Sequence, residues 1–281
     1  MTKAGLGVML AIVLAGGGAA LAQNSAPTPA PAAPMRGSTQ GFLAGYLPKG
    51  SAPNSLALLP PAPAAGSATQ ARDEAAAKAA ESLRNGPRWT LAAQDAELRF
   101  PAAADTFSCA ADVKIDPVTT PRLYTLLRRT LTDAGLSTYP TKTKYQRQRP
   151  FMARGGPICT PAEADHLRAD GSYPSGHSAA GWAWALVLAE AAPDHQDAIL
   201  ARGRAFTESR VVCNVHWQSD VEAGAMLGSA VVARLHDEPE FRADLDAARA
   251  EIAAARAAGR RPTRDCSAEA AALALSPPEL P

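Results

Sequence analysis

Beyond Ala22 the chain holds no run of about 18 uncharged apolar residues, so its body carries no candidate membrane-spanning helix. Aromatic residues are scarce at 5%, and much of the 47% hydrophobic share is alanine. Net charge is almost absent: 28 basic against 27 acidic residues leave +1. That balance gives no electrostatic reason to expect a nucleic-acid or anionic-membrane partner, so any cation cluster takes its meaning from local spacing. No two cysteines form a C-x-x-C pair, which argues against a zinc or redox motif. No segment alternates with period two over strand length, and no repeat is visible, so strands and solenoids find no support.

What is present begins with a processing signal. Lys3 is the sole early charge, Leu6 to Leu14 form an apolar run, and Ala20-Leu21-Ala22 offers small residues where a signal peptidase reads. The run is too short, and too broken by glycine, for a spanning helix, and the alternative reading is an uncleaved membrane anchor. Residues 1–22 therefore read as a signal peptide, and a periplasmic location is expected. The four cysteines, Cys109, Cys159, Cys213 and Cys266, then suggest two disulfides, with three connectivities open.

Residues 23–66 are rich in Pro, Ala, Ser and Gly and read as an arm or linker, although Phe42–Leu47 and Leu56–Leu59 could dock on the body. Residues 67–260 read as one all-α domain, with 261–281 a C-terminal tail. Thr69–Arg84 is alanine-rich with mixed charges. Pro121–Ala134 sets Leu123, Leu126, Leu127 and Leu131 on one face, with Pro121 suited to the first turn. Ser178–Ala192 is apolar nearly all round, as a central buried helix should be. Ala198–Arg210, Val221–His236 and Glu240–Ala258 are further helical segments, the last ended by Gly259 and Pro262.

Three separated segments share a chemical theme. In the first, Lys142 and Arg149 lie seven apart before Pro150, and on a helix they would project from one face two turns apart. Lysine offers a point charge and arginine a planar fork, both suited to phosphoryl oxygens. Lys144 and Arg147 show how common basic residues are here, and alone the segment reads as a solvated face. The second is Gly171-Ser-Tyr-Pro-Ser175-Gly176-His177, ahead of the buried helix. Ser175 can cap that helix, Gly176 lets backbone approach a ligand closely, and free amides at a helix start attract an anion. In the third, Arg210 adds a guanidinium, while His216 and Asp220, four apart, can meet across one helical turn. A carboxylate on one imidazole nitrogen leaves the other free to attack. Each segment alone has a bland reading as turn, cap or surface pair.

In order, K-x6-R-P, P-S-G-H and S-R-x5-H-x3-D, with 23 residues after Pro150 and 31 after His177, resemble the full signature of the type 2 phosphatidic acid phosphatase superfamily. Within it Gly171–Ser178 and Ser209–Val221 are most similar to the class A bacterial non-specific acid phosphatases, a likeness running from about Leu83 to Ala258. The resemblance implies a helical bundle and a secreted acid phosphatase acting on phosphate monoesters through a phosphohistidine, with no metal and no cofactor. It gives His216 the role of nucleophile, Asp220 that of orienting it, and His177 that of general acid. Lys142, Arg149, Ser175, Gly176 and Arg210 become the phosphate-binding residues. Cys159 with Cys213, and Cys109 with Cys266, is the pairing expected beside it. His166, His195 and His236 fall outside the signature and receive no role. Transfer to an alcohol acceptor is open to a phosphoenzyme, and a homo-oligomer is neither specified nor excluded. The competing readings are a vanadate-dependent haloperoxidase, a soluble lipid phosphatase, a metal phosphoesterase ligated by His177, His216 and Asp220, and a non-catalytic phosphate binder.

Overall fold

A computed structural model of the chain describes residues 1–2 and 41–275. The expected signal peptide beyond Thr2, the arm up to residue 40 and the end of the tail from residue 276 lie outside the described residues. The chain divides between Arg36 and Gly37 into two units, and every described helix belongs to the second. Its elements are α1 (Ser55–Leu58), α2 (Ala68–Ala79), α3 (Pro87–Gln94), α4 (Pro121–Ser137), α5 (Tyr139–Tyr145) and α6 (Pro150–Ala153), followed by α7 (Ala164–Ala169), α8 (Gly176–Ala191), α9 (Gln196–Val212), α10 (Gln218–Leu235), α11 (Pro239–Ala257) and α12 (Cys266–Leu273). No strand occurs among the described residues, and no described helix is long and apolar enough to cross a membrane. The fold is an all-α helical bundle.

Helix α8 forms the axis, and α4, α9, α10 and α11 pack around it. Its composition explains that place: Ala179, Ala180, Ala183, Trp184, Ala185, Val187 and Leu188 are buried on every side. The neighbours come close because glycine meets glycine-sized gaps. A Cβ on Gly224 of α10 would fall 2.4 Å from the Ser175 carbonyl oxygen, and one on Gly228 would fall 2.5 Å from that of Ala179. Side chains there would push α10 off the start of α8. Around Trp184 the rings of Phe100, Phe107 and Phe206 pack edge-on, and its indole N–H donates to the Leu127 carbonyl at 2.8 Å.

Residues 41–66, assigned by composition to the arm, lie against this bundle. Asp133 accepts from the backbone N–H of Tyr46 at 2.7 Å and of Leu47 at 3.2 Å, while Tyr46 Oη donates to Asp244 at 2.7 Å. A Cβ on Gly45 would stand 1.9 Å from Asp133 Oδ1, so a side chain there would displace the carboxylate that holds Tyr46 and Leu47. Residues beyond Arg261 continue into α12, which Cys266 ties to Cys109; the second disulfide joins Cys159 to Cys213.

The segment carrying Lys142 and Arg149 departs from the single helix that their spacing suggests. α5 ends at Tyr145, Gln146 takes a left-handed conformation with φ 43°, and Arg149 is the extended N-cap of α6. Pro150 disfavours helical geometry at the residue before it, so the chain must leave the helix first. The two cations therefore converge through a bend and not through a shared helix face.

Candidate active site

Helix α5, the N-cap of α6, the start of α8 and the turn from α9 to α10 meet beside one cavity of about 560 Å³. Lys142, Arg149, Gly176, His177 and His216 line it, together with Asp170 and the exposed Phe42, Leu136, Tyr139 and His166. Arg210 and Asp220 are fully buried behind them. Ser175 caps α8: its Oγ accepts from Ser178 N at 3.2 Å, and its own N–H is donated to the Asp220 carbonyl at 2.9 Å. It is buried, and its hydroxyl also accepts from Ser178 Oγ at 2.9 Å.

His216 stands one residue before the N-cap of α10, and Asp220 is at the third helical position, so the pair does not span a helical turn as the spacing suggests. The carboxylate folds back over the helix start instead. Its Oδ2 accepts from Trp217 N at 2.8 Å and from Ser172 Oγ at 2.5 Å, and lies 3.5 Å from His216 Nδ1. Ser172 Oγ is itself 3.3 Å from Nδ1, which makes the hydroxyl a bridge between carboxylate and imidazole. Oδ1 accepts from Arg147 Nη1 at 2.6 Å, and Arg147 Nη2 donates to Asp73 of α2 at 2.7 Å.

The cations are held unequally. Arg149 is gripped by carbonyls, Nε donating to Leu167 at 2.8 Å and Nη1 to Val215 at 2.9 Å, while Nη2 donates to Asp170 Oδ2 at 3.0 Å. Lys142 Nζ donates to the same Oδ2 at 3.0 Å and to the Gly171 carbonyl. Arg210 differs: all three guanidinium nitrogens are buried with no hydrogen-bond partner among the described residues. A buried guanidinium of this kind is costly unless an anion meets it. Its carbon–nitrogen plane is the strongest local mark of an anion site.

Burial sets the protonation of these groups. It draws the Lys142 ammonium down to about 8, with Arg149 adding to the effect and Asp170 opposing it. It draws Arg210 down to about 10. His216 is held well below the ordinary imidazole range by burial, then by Arg149, Lys142 and Arg210. His177 is held well below it by burial and next by Arg210. Both imidazoles are thus neutral in the ligand-free protein at neutral pH. His177 Nε2 lies 2.9 Å from the Ala96 carbonyl, which can only accept, so Nε2 carries the hydrogen and Nδ1 the lone pair.

All eight residues singled out in the sequence for this site fall in this one region. Four others were not. Arg147 reads in the sequence as one of several local basic residues, yet its side chain is 8% exposed and bonded to two buried carboxylates. Ser172 lies inside the Gly171–His177 segment, where Ser175 before Gly176 is the serine that the helix-cap pattern marks. Asp73 and Asp170 belong to distant or helix-ending positions whose partners only the fold brings near.

The model of the PAP2 superfamily matches residues 123–239 of the chain. Over 209 residues, 74% of this chain and 84% of the other, it is 45% identical to a non-specific acid phosphatase of Providencia stuartii. An acid phosphatase of Zymomonas mobilis subsp. mobilis is 40% identical over 207 residues, 74% of this chain and 78% of that one. A non-specific acid phosphatase of Salmonella typhimurium is 39% identical over 200 residues, 71% and 80% of the two chains.

Proposed function

The chain belongs to the PAP2 superfamily, beside the bacterial non-specific acid phosphatases, and from that premise we propose that it is an exported, metal-independent acid phosphatase acting on phosphate monoesters through a phosphohistidine. The observation that carries the reading is the buried, unpartnered guanidinium of Arg210 beside two neutral imidazoles. A phosphoryl group of charge near −2 satisfies that guanidinium and shares Lys142 and Arg149. Backbone amides at the start of α8 supply further donors, and Gly176 keeps that approach open.

His216 Nε2 then attacks phosphorus as the bond to the ester oxygen breaks. Arg149 Nη1, 3.0 Å from Nε2 in the ligand-free protein, must turn its N–H to a phosphoryl oxygen for the lone pair to act. The bound dianion offsets the cations around His177, which takes a proton from solvent on Nδ1, the nitrogen free of the Ala96 contact, and gives it to the departing alkoxide. In the second half His177 takes a proton from water, the hydroxide adds to phosphorus, the P–N bond breaks and inorganic phosphate leaves. Asp220 and Ser172 hold the Nδ1 hydrogen of His216 throughout, stabilising positive charge as the P–N bond forms. An alcohol in place of water would give phosphate transfer to that alcohol.

Export is supported by the Lys3 and Leu6–Leu14 pattern ahead of Ala22 and by two disulfides, which persist in oxidising compartments. The test is alkaline quench during turnover of a labelled monoester, followed by acid treatment of the trapped protein. Base-stable, acid-labile label on the wild type, absent from His216→Ala, is expected, with p-nitrophenyl phosphate hydrolysis unaffected by EDTA and inhibited by vanadate. No label at any quench time, or loss of turnover in EDTA, defeats the covalent metal-free route.

A further inference from the structure

Asp170 places a carboxylate on the cations that the proposed reaction needs. A single oxygen, Oδ2, accepts from both Lys142 Nζ and Arg149 Nη2 at 3.0 Å. The donors are nearly sealed, with side chains 5% and 1% exposed, whereas Asp170 is 25% exposed and faces the cavity. Its role is not to hold these donors in place. The carbonyls of Leu167, Asp170 and Val215 already grip Arg149, and the Gly171 carbonyl takes Lys142. Those contacts survive loss of the Asp170 carboxylate, so what it contributes is charge.

Building on the phosphatase reading, we propose that Asp170 is an internal anion that competes with phosphate for Lys142 and Arg149 and so sets the affinity for the monoester and for product. Lys142, Arg149 and Arg210 together carry three positive charges, and the Asp170 carboxylate, bonded to two of them, offsets one, while Glu163 on the same cavity acts on Arg149 and Arg210 without a bond to either. Without the Asp170 carboxylate the site gains one unit of positive charge and binds inorganic phosphate, itself largely dianionic near neutrality, too firmly for fast release. Substrate and product gain alike, which deepens binding without lowering the barrier from bound substrate.

The test compares wild type, Asp170→Asn and Asp170→Glu, with p-nitrophenyl phosphate as substrate and inorganic phosphate as competitive inhibitor. In Asp170→Asn the phosphate Ki is expected to fall about tenfold, the scale of one screened charge contact. KM should fall, kcat should fall as phosphate release slows, and kcat/KM should rise by up to about tenfold, because substrate and transition state gain alike. Asp170→Glu keeps the charge and should hold Ki within about threefold. If Asp170→Asn does not fold by circular dichroism, Asp170→Ser removes the same charge and is read the same way. A Ki that is unchanged or raised on loss of the carboxylate overturns the proposal, since a residue that merely shaped the site would weaken phosphate. A wild-type protein that neither turns over the ester nor binds phosphate overturns the phosphatase reading itself, so the two failures are told apart.

Discussion

Arg149 Nη1 lies 3.0 Å from His216 Nε2, and this contact fixes the tautomer of the imidazole. A guanidinium has donors and no acceptor, so Nε2 must present its lone pair. The ring hydrogen of neutral His216 then sits on Nδ1, toward Ser172 Oγ at 3.3 Å and Asp220 Oδ2 at 3.5 Å. Ser172 in turn donates to Asp220 at 2.5 Å. The nitrogen facing the cavity is therefore the one able to attack, and the nitrogen facing the interior is the one held by the carboxylate.

Asp220→Asn tests that arrangement. The amide retains the shape but loses the charge, and its NH2 group only donates, so either Arg147 or both Trp217 N and Ser172 lose their acceptor. A fall in kcat of up to about 10⁴-fold is expected, the scale of making neutral a carboxylate that orients a catalytic histidine. Ser172→Ala removes only the bridge and should cost about tenfold. Steady-state kinetics with p-nitrophenyl phosphate read both; an Asn variant within threefold of wild type removes Asp220 from the mechanism.

The depressed histidines give a pH signature. His216 acts unprotonated, and burial with three neighbouring cations keeps it so well below its ordinary value, so the acid limb of kcat/KM should lie below about pH 6.5. His177 acts protonated, yet burial and Arg210 lower its affinity for a proton in the free enzyme. A bound dianion offsets Arg210 and Arg149 and raises that affinity, so the basic limb of kcat should fall at higher pH than that of kcat/KM. Coincident basic limbs would count against His177 as the acid. The same shifts act on stability. Below about pH 6.5 the unfolded chain takes up protons that the native imidazoles refuse, so Tm should decline as pH drops from 7 toward 5. Phosphate, which binds the native state, should reverse part of that decline.

How much of this the sequence could carry depends on the kind of constraint. The cations and histidines were legible because the K-x6-R-P, P-S-G-H and S-R-x5-H-x3-D spacings survive whatever the intervening backbone does. The geometry behind them was not. A helix through residues 142–149 would turn Arg147 away from Lys142, whereas the left-handed Gln146 reverses the chain and drives Arg147 inward against Asp73 and Asp220. Nothing local marks Asp73, which sits on an alanine-rich helix with little apolar face. Its partner lies 74 residues away. Helix α8 was readable from composition alone, because an element apolar all round has nowhere to lie but the centre.

The two disulfides should separate stability from activity. Cys213 packs with Phe151, Ile158 and Val215, and it follows Arg210 by one turn and precedes His216 by three residues. Cys109–Cys266 instead fastens α12 near Arg202 and Glu269, away from the residues lining the cavity. Replacing Cys109 and Cys266 by serine should lower stability by about 2–5 kcal/mol in urea unfolding while leaving kcat at 25 °C within about twofold. Replacing Cys159 and Cys213 should lower both, because the turn that presents His216 loses its tether. Equal kinetic effects from the two pairs would show that the site does not depend on that tether.

Gly176→Ala separates folding from anion binding. The nearest protein atoms to a Cβ at this position are Thr138 Oγ1 at 3.6 Å and Lys142 Cε at 4.0 Å, both ordinary contacts, and the residue begins α8, where alanine is a better helix former than glycine. The fold therefore has room for the methyl group, and Tm should hold or rise slightly. The space the methyl enters is the cavity beside Lys142, where the phosphoryl oxygens are proposed to meet the amides at the start of the helix. KM and the phosphate Ki should rise at least about tenfold, since a displacement of about 1 Å at such a site is felt strongly. Thermal melting alongside inhibition by inorganic phosphate decides it: a variant of unchanged Tm that binds phosphate as well as wild type places the anion elsewhere than against Gly176.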